Sequence, residues 1–122
     1  MLLPLTPTTQ GIVNYGLLKE LRRRNGLGGA VLINAGRGRL QKDADILRAL
    51  DDGTLKEASL DVFEVEPLPK ESPLWELDGV YITPHIAGAS SERTGVAYFA
   101  KVITEHEAGQ PLPNVIDVNR GY

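Results

Sequence analysis

Short apolar runs alternate with amphipathic stretches along this chain, and glycine or proline separates most of them. A continuous apolar run of strand length indicates a buried strand, whereas apolar residues every three or four positions indicate a helix. Alternation of the two is typical of β-α-β units around a parallel sheet. The pattern therefore predicts an α/β protein whose parallel sheet is flanked by helices.

Three strands and one strand tail are predicted from the apolar runs. The run Ala30–Asn34 has almost no polar alternation, which is expected of a strand in a sheet covered on both faces. Residues 58–62 and 80–82 form the next two runs, and residues 2–5 resemble the tail of a strand that ends at a proline-containing loop. The prolines between positions 67 and 73 predict a loop with a short turn at 74–77.

Three helices are predicted between and after the strands. Asn14 can cap the first, which runs to about Arg24, and the second covers Asp43 to Asp51. A third helix of about 17 residues follows Ser90-Ser91-Glu92 and closes at Gly109, and the tail beyond it should be extended. The apolar residues expected to face inward are Leu17, Leu18 and Leu21 in the first helix and Ala44, Leu47 and Leu50 in the second.

Composition narrows the function classes. The chain has 122 residues, 42% hydrophobic and 24% charged, with a net charge of -3, which suits one globular domain or part of one. The interspersed charges give no reason to expect nucleic acid or a membrane surface as a partner. There is no cysteine and there are only two histidines, so we predict no disulfide and no metal site, and a cytoplasmic location.

Polar residues that could do chemistry follow the predicted strands. Ligands of doubly wound sheets bind beyond the carboxyl ends of the strands. Arg37, between two glycines, offers a planar fork for a carboxylate, and His85 is suited to general acid or base work. Asp61, Glu64 and Glu66 are candidate carboxylates at the same edge. His106 receives no role, and Trp75 and Tyr98 are interpreted as core or interface aromatics.

Four motifs make the chain recognisable: Leu3 to Thr9, Ile33-Asn34-Ala35-Gly36-Arg37-Gly38, Leu60 to Pro67, and Thr83-Pro84-His85-Ile86-Ala87-Gly88. In this order they resemble the D-isomer-specific 2-hydroxyacid dehydrogenases, over the whole chain. Residues 67–75 and the ending 119–122 look most like the glyoxylate/hydroxypyruvate reductase A branch. The resemblance implies the C-terminal half of a Rossmann-like nucleotide-binding domain, followed by a long C-terminal helix.

The same resemblance implies roles for individual residues. Arg37 would bind and polarise a small 2-oxo acid, His85 would give its carbonyl oxygen a proton as hydride arrives, and Glu66 would hydrogen-bond the histidine. Glu66 is preferred over Glu64 because it stands directly before proline, as in the family. The nicotinamide half of NADP or NAD would lie against a second set of residues, which is Ala35, Gly36, Arg37, Asp61, His85, Ala87 and Gly88.

The resemblance also implies that residues 1–122 are a partial NAD(P)-binding domain. The glycine-rich phosphate turn and the substrate domain of family members would lie upstream, and no Gly-x-Gly-x-x-Gly occurs in this chain. An incomplete sheet exposes apolar surface, so we expect a homodimer or other self-association. Two alternatives stay open: a truncated non-catalytic remnant or a binding module of this fold, and another enzyme of the family, such as a phosphoglycerate or formate dehydrogenase.

Overall fold

A computed structural model describes residues 3–21, 28–88 and 91–119 of the chain. The chain divides into two compact units, Met1–Ala87 and Gly88–Tyr122. The first unit carries the sheet, and the second carries a single long helix. Each unit is described by itself below.

Three parallel strands form the sheet of the first unit. They are β1 (Ala30–Asn34), β2 (Leu55–Leu60) and β3 (Val80–Ile82), in the spatial order β1-β2-β3. The parallel sheet and two of its strands are therefore as predicted. The predicted bounds of β2 were wrong: the strand starts three residues before position 58 and ends two before position 62. Its start was missed because the charged residues Lys56 and Glu57 reach solvent and interrupt the apolar run.

Two helices lie between the strands or before them. Helix α1 spans Tyr15–Lys19, and the Asn14 side chain accepts from the Leu17 amide at 3.0 Å, as the capping prediction required. The predicted extension was wrong at Glu20, where i to i−3 hydrogen bonds tighten and end the helix. The rest of the predicted extension, residues 22–24, lies outside the described residues.

Helix α2 spans Asp43–Asp51, with the predicted bounds. Its buried residues are Ile46 and Ala49, whereas Ala44 is exposed and Leu47 and Leu50 are only partly buried. The prediction was therefore wrong for Ala44, whereas Leu47 and Leu50 pack against the edge of the core. Ile46 and Ala49, which the predicted stripe did not include, occupy the buried centre of the helix face.

The core lies between the sheet and the helices α1 and α2. Its buried apolar residues include Leu18, Leu32, Ile46, Leu55, Leu60, Phe63 and Leu74. Strand β1 alternates strictly, with Ala30, Leu32 and Asn34 buried and the side chains between them exposed. The structure therefore covers β1 on one side, and not on both sides as the apolar run suggested.

The other face of the sheet presents apolar side chains to solvent. Val31 is 40% exposed, Ile33 57% and Tyr81 60%. Ile33 is in register with Ser59, and Ser59 with Tyr81, so these three residues form one row across the three strands. We call Val31, Ile33 and Tyr81 the open face of the sheet.

Two further predicted elements lie before and after the residues of the sheet. Residues 3–5, predicted as the end of a strand, pair with no other strand among the described residues. Helix α3 spans Glu92–Glu107, one residue shorter than the predicted length. Ser91 occupies the N-cap position, but its side chain makes no capping hydrogen bond. In the described residues no helix is both long enough and apolar enough to span a membrane.

Candidate active site

Arg37 stands on a tight turn at the carboxyl end of β1. The buried Asn34 side chain shapes this turn: its Oδ1 accepts from the Gly36 amide at 3.0 Å, and its Nδ2 donates to the Arg37 carbonyl at 3.4 Å. The Arg37 side chain is exposed, and its Nη1 donates to the Gly36 carbonyl at 3.0 Å. Within the described residues no carboxylate pairs with Arg37, so its fork can receive an external carboxylate.

Glu66 and His85 form a hydrogen-bonded pair beyond the ends of β2 and β3. Glu66 Oε2 lies 2.7 Å from His85 Nδ1, and Glu66 Oε1 accepts from the Phe63 amide at 2.9 Å. Engaging Nδ1 with a carboxylate leaves Nε2 as the ring nitrogen that can face a reacting atom. The pair can therefore orient the imidazole and stabilise its charged form.

His85 has an unusual backbone conformation, with φ of 55°. Side chains other than glycine seldom adopt this left-handed region, and such residues persist where the surroundings hold them. Here the His85 amide donates to the Asp61 carbonyl at 2.9 Å, and the next two amides donate to the Asp61 carboxylate, at 2.9 Å from Ile86 and 3.0 Å from Ala87. Asp61 thereby fixes the loop that presents the imidazole.

Electrostatics keep both carboxylates of this region ionised. The Thr83 hydroxyl is the main cause that lowers the pKa of Asp61, with help from the Ala87 and Ile86 amides against the effect of burial. Burial raises the pKa of Glu66, but the hydrogen bonds from His85 and the Phe63 amide together outweigh it and hold that pKa below its ordinary value. Glu66 is thus a charged partner for His85 at neutral pH.

A cleft of about 600 Å³ opens beside the Glu66–His85 pair. Its walls are largely apolar, formed by Phe63, Glu66, Pro67, Leu68, Trp75, Ile82, Pro84 and His85. Trp75 is 52% exposed and donates its indole N–H to the Pro69 carbonyl at 2.9 Å. Of the two predicted places for Trp75, the core was wrong, because the proline-rich loop holds the side chain at the rim of the cleft, and the subunit interface stays a prediction.

The predicted site residues follow three neighbouring strands in the same unit. Arg37 and the half-buried Ala35 and Gly36 follow β1, Asp61 and Glu66 follow β2, and His85 with the exposed Ala87 follows β3. Glu66 and His85 are in contact, whereas Arg37 does not line the cleft beside them. Glu64 turns away and accepts from the Asp43 amide at 2.7 Å, and Gly88 begins the second unit.

Two groups of residues escaped the sequence reasoning. The apolar walls Phe63 and Ile82 carry no motif that separates them from core residues. The buried amide Gln41 stands two residues before helix α2, where a polar residue is ordinarily interpreted as surface. Gln41 pairs with Asn34 on the other side of the Arg37 turn. No pattern in the sequence indicates that contact.

Known proteins resemble this chain along almost all of its length. Residues 1–87 match the sequence profile described as D-isomer specific 2-hydroxyacid dehydrogenase, NAD binding domain. A glyoxylate/hydroxypyruvate reductase A from Salmonella newport (strain SL254) is 46% identical over 121 residues, which are 99% of this chain and 37% of that protein.

Solved structures give the same result. An NADPH-dependent glyoxylate/hydroxypyruvate reductase from Sinorhizobium meliloti, in complex with NADP and sulfate, is 50% identical with a TM-score of 0.96, over 99% of this chain and 38% of that one. A probable 2-hydroxyacid dehydrogenase from Rhizobium etli CFN 42, in complex with NADP, HEPES and L(+)-tartaric acid, is 53% identical with a TM-score of 0.91, at the same coverage. The chain thus spans little more than a third of the length of these relatives.

Proposed function

Because the chain belongs to the D-isomer specific 2-hydroxyacid dehydrogenase family, we propose that it supplies the catalytic residues of a reductase for small 2-oxo acids such as glyoxylate or hydroxypyruvate. The observation that carries the proposal is the 2.7 Å contact between Glu66 Oε2 and His85 Nδ1 beside an open cleft. A histidine that a carboxylate orients can act as a general acid toward a carbonyl group bound beside it. NADPH is the preferred cofactor, because relatives that are half identical to this chain bind NADP.

The residues present fit the nicotinamide end of such a cofactor. Gly36 lies at the carboxyl end of β1, where its backbone can approach a ligand closely, and Asp61 can accept from an amide. Asp61 already accepts hydrogen bonds from Thr83, Ile86 and Ala87. It would therefore both contact the cofactor and hold the loop that carries His85. A bound nicotinamide would supply the hydride.

This chain's own residues would do the rest of the work. The guanidinium of Arg37 binds the substrate carboxylate and orients the 2-oxo group. His85 gives a proton from Nε2 to the carbonyl oxygen as that oxygen gains negative charge. Glu66 stays ionised throughout, so it steadies the imidazolium before the transfer and holds the neutral ring in place afterwards.

A rate assay with matched variants tests the proposal. The decrease of NADPH absorbance with glyoxylate is measured for the chain alone and after co-expression with the part of a related reductase that this chain does not cover. We expect His85→Gln to reduce kcat by roughly 10²- to 10⁴-fold, as loss of a general acid does. Arg37→Gln should mainly raise KM for glyoxylate, and Glu66→Gln should lower kcat and change its pH dependence.

The controls use neighbours of the same type. His106→Gln in helix α3 and Arg39→Gln beside the Arg37 turn should leave kcat and KM unchanged. Wild-type protein that binds NADPH but turns over no 2-oxo acid, even with the complementing segment, would favour the non-catalytic binding module. Faster reduction of 3-phosphohydroxypyruvate than of glyoxylate would favour a phosphoglycerate dehydrogenase.

We also propose that the protein acts in the cytoplasm as a homodimer. The support for association is the open face of the sheet, where three apolar side chains are 40% to 60% exposed. Sedimentation velocity of the purified chain tests the dimer, and fractionation of the source cells tests the location. A monomer across the micromolar range would refute the dimer.

A further inference from the structure

A network of three polar side chains joins the Arg37 turn to the segment that leads to Glu66. It consists of Asn34 at the end of β1, Gln41 before α2 and Asp43 at its start. Asn34 and Gln41 are 0% and 1% exposed, and Asp43 is half-buried. A buried amide is costly unless its hydrogen-bonding atoms are paired, so these side chains need a structural reason to be there.

Gln41 satisfies all of its polar atoms within this network. Its Oε1 accepts from Asn34 Nδ2 at 2.7 Å, and its Nε2 donates to Asp43 Oδ1 at 2.9 Å and to the Val62 carbonyl at 3.3 Å. Asn34 is the residue that shapes the Arg37 turn, and Val62 belongs to the segment that leads to Glu66. One amide therefore touches both halves of the candidate site.

Two further contacts join the same two segments. The Glu64 amide donates to Asp43 Oδ2 at 3.4 Å, and the Asp43 amide donates to Glu64 Oε2 at 2.7 Å. Gly38 packs directly on the backbone of Phe63, so closely that an added Cβ would lie 1.7 Å from the Phe63 carbonyl oxygen. The Arg37 turn and the Glu66 segment are thus held as one body.

We propose that Gln41, bridging Asn34 and Asp43, is a positioning residue that sets the placement of Arg37 relative to the Glu66–His85 pair. An apolar side chain of the same volume would fill the space but could not bind the Val62 carbonyl or the Asn34 amide. The segment before Glu66 would then shift, and the Phe63 amide would lose its alignment on Glu66 Oε1. The effect of Gln41 on turnover rests on the proposed function, whereas its effect on the placement of Glu66 does not.

A titration of Glu66 reads the network without any need for activity. Carbon-13 NMR of the Glu66 carboxyl is recorded against pH in the full chain, for wild type, Gln41→Met and Thr54→Val. Thr54 is also a buried polar residue, 2% exposed, but it precedes β2 at the opposite end of the strands. We expect Gln41→Met to raise the pKa of Glu66 toward its ordinary value and to shift the Gly36 amide resonance, whereas Thr54→Val moves neither.

Asp43→Ala provides a second test in case Gln41→Met does not fold. Asp43 is only half-buried, so the chain should tolerate its truncation, and losing its bond to the Glu64 amide should raise the pKa of Glu66 in the same direction. An unchanged pKa of Glu66 in every folded variant of Gln41 and Asp43 would overturn the proposal. An equal rise in Thr54→Val would also overturn it, since the effect would then be general loosening of the fold.

Kinetics of the complemented enzyme extend the test to the reaction. Gln41→Met should raise KM for glyoxylate by roughly three- to tenfold, the effect of about one lost hydrogen bond, and should change the pH profile of kcat. Thr54→Val should leave both at their wild-type values, and wild-type KM in Gln41→Met would contradict the positioning role. If wild-type enzyme reduces no 2-oxo acid, the proposed function fails, while the Glu66 titration still decides on the network.

Discussion

Tyr15 links helix α1 to the C-terminal end of helix α2 through two different contacts. Its hydroxyl donates to Asp52 Oδ2, and the Arg48 guanidinium lies 3.9 Å from the centroid of its ring. The Thr54 amide also donates to Asp52, at 2.9 Å from Oδ1. Hydrogen bonds from Thr54 and then Tyr15 lower the pKa of Asp52 to about 2. In the folded protein the Asp52 carboxylate therefore stays ionised until the pH falls to about 2.

We predict that Tyr15→Phe lowers the stability of the fold near neutral pH and makes that stability depend less on pH in the acid range. The folded pKa of Asp52 is below the unfolded one, so its contribution to stability is present above about pH 3.8 and is lost as the pH falls toward 2. Tyr15→Phe keeps the ring under Arg48 but removes the hydroxyl, so the folded pKa of Asp52 should rise toward the unfolded one, and the variant should lose less stability between about pH 3.8 and 2 than wild type does. Denaturant unfolding between pH 2 and 7 measures this.

Tyr81→Phe is the matched control, because Tyr81 is 60% exposed and lies on β3, away from Asp52. It should leave the pH dependence of unfolding as in wild type. An identical acid transition in Tyr15→Phe and wild type would remove Tyr15 from the account of the Asp52 pKa.

Single residues also mark where sequence reasoning stopped. Positions 37, 66 and 85 could be selected in advance because arginine, glutamate and histidine each follow a strand and stand in recognisable motifs. The hydrogen bonds by which Gln41 and Asp61 hold the site together could not be predicted in this way. What they do depends on carbonyls and amides that are more than 20 positions away, and no local pattern encodes those contacts.

Helix α3 is the most regular element of the second unit, yet it contains a glycine near its start. The Gly95 amide donates to the Ser91 carbonyl at 2.9 Å, and a Cβ at Gly95 would meet nothing within 4 Å. Glycine in a helix loses more backbone freedom on folding than alanine does. No packing contact among the described residues compensates for that loss.

Gly95→Ala is therefore predicted to stabilise α3 by about 1 kcal/mol or somewhat less. The reverse change in the same helix, Ala100→Gly, should destabilise it by a similar amount, because Ala100 is also exposed. Circular dichroism at the helical band, followed against temperature, compares both variants with wild type. Opposite shifts support the prediction, and a lower helix content in Gly95→Ala would contradict it.

Elements were predictable where one local signal dominates. Helix α2 and strands β1 and β3 kept their predicted bounds because a glycine, a proline or an acidic N-terminal residue borders each of them. The predicted end of α1 was wrong because i to i−3 hydrogen bonds close the helix at Glu20, and the predicted start of β2 was wrong because pairing with β1 decides it. Leu55 joins the sheet because it pairs with Ala30, although charged residues follow it.

At the scale of the whole molecule, the open face of the sheet is an exposed apolar surface of the first unit. Its row of Ile33 and Tyr81 crosses the strands at the register that Ser59 fixes. Apolar side chains presented together on a flat sheet favour association. The unbroken apolar run of β1 predicts a strand covered on both faces. Which surface would cover the open face cannot be derived from that run.

We predict that Ile33→Thr reduces self-association of the purified chain. Ile33 is 57% exposed, so a β-branched polar residue should leave the core intact while it lowers the apolar area of the open face. Val118→Thr, at an 86% exposed position of the second unit, is the control. Sedimentation velocity should show a smaller weight-average mass for Ile33→Thr alone, and equal masses for both variants would refute a role of the open face.

The close packing of Gly38 on Phe63 also bears on how the protein folds. The two residues lie in one β-α-β unit, so the chain between them is closed when β1 pairs with β2. Loop closure of this modest length costs little additional entropy once the strands have met. We therefore expect the Arg37 turn and the Glu66 segment to come together when β1 and β2 pair, so substitutions at this contact should slow folding more than they speed unfolding in stopped-flow measurements.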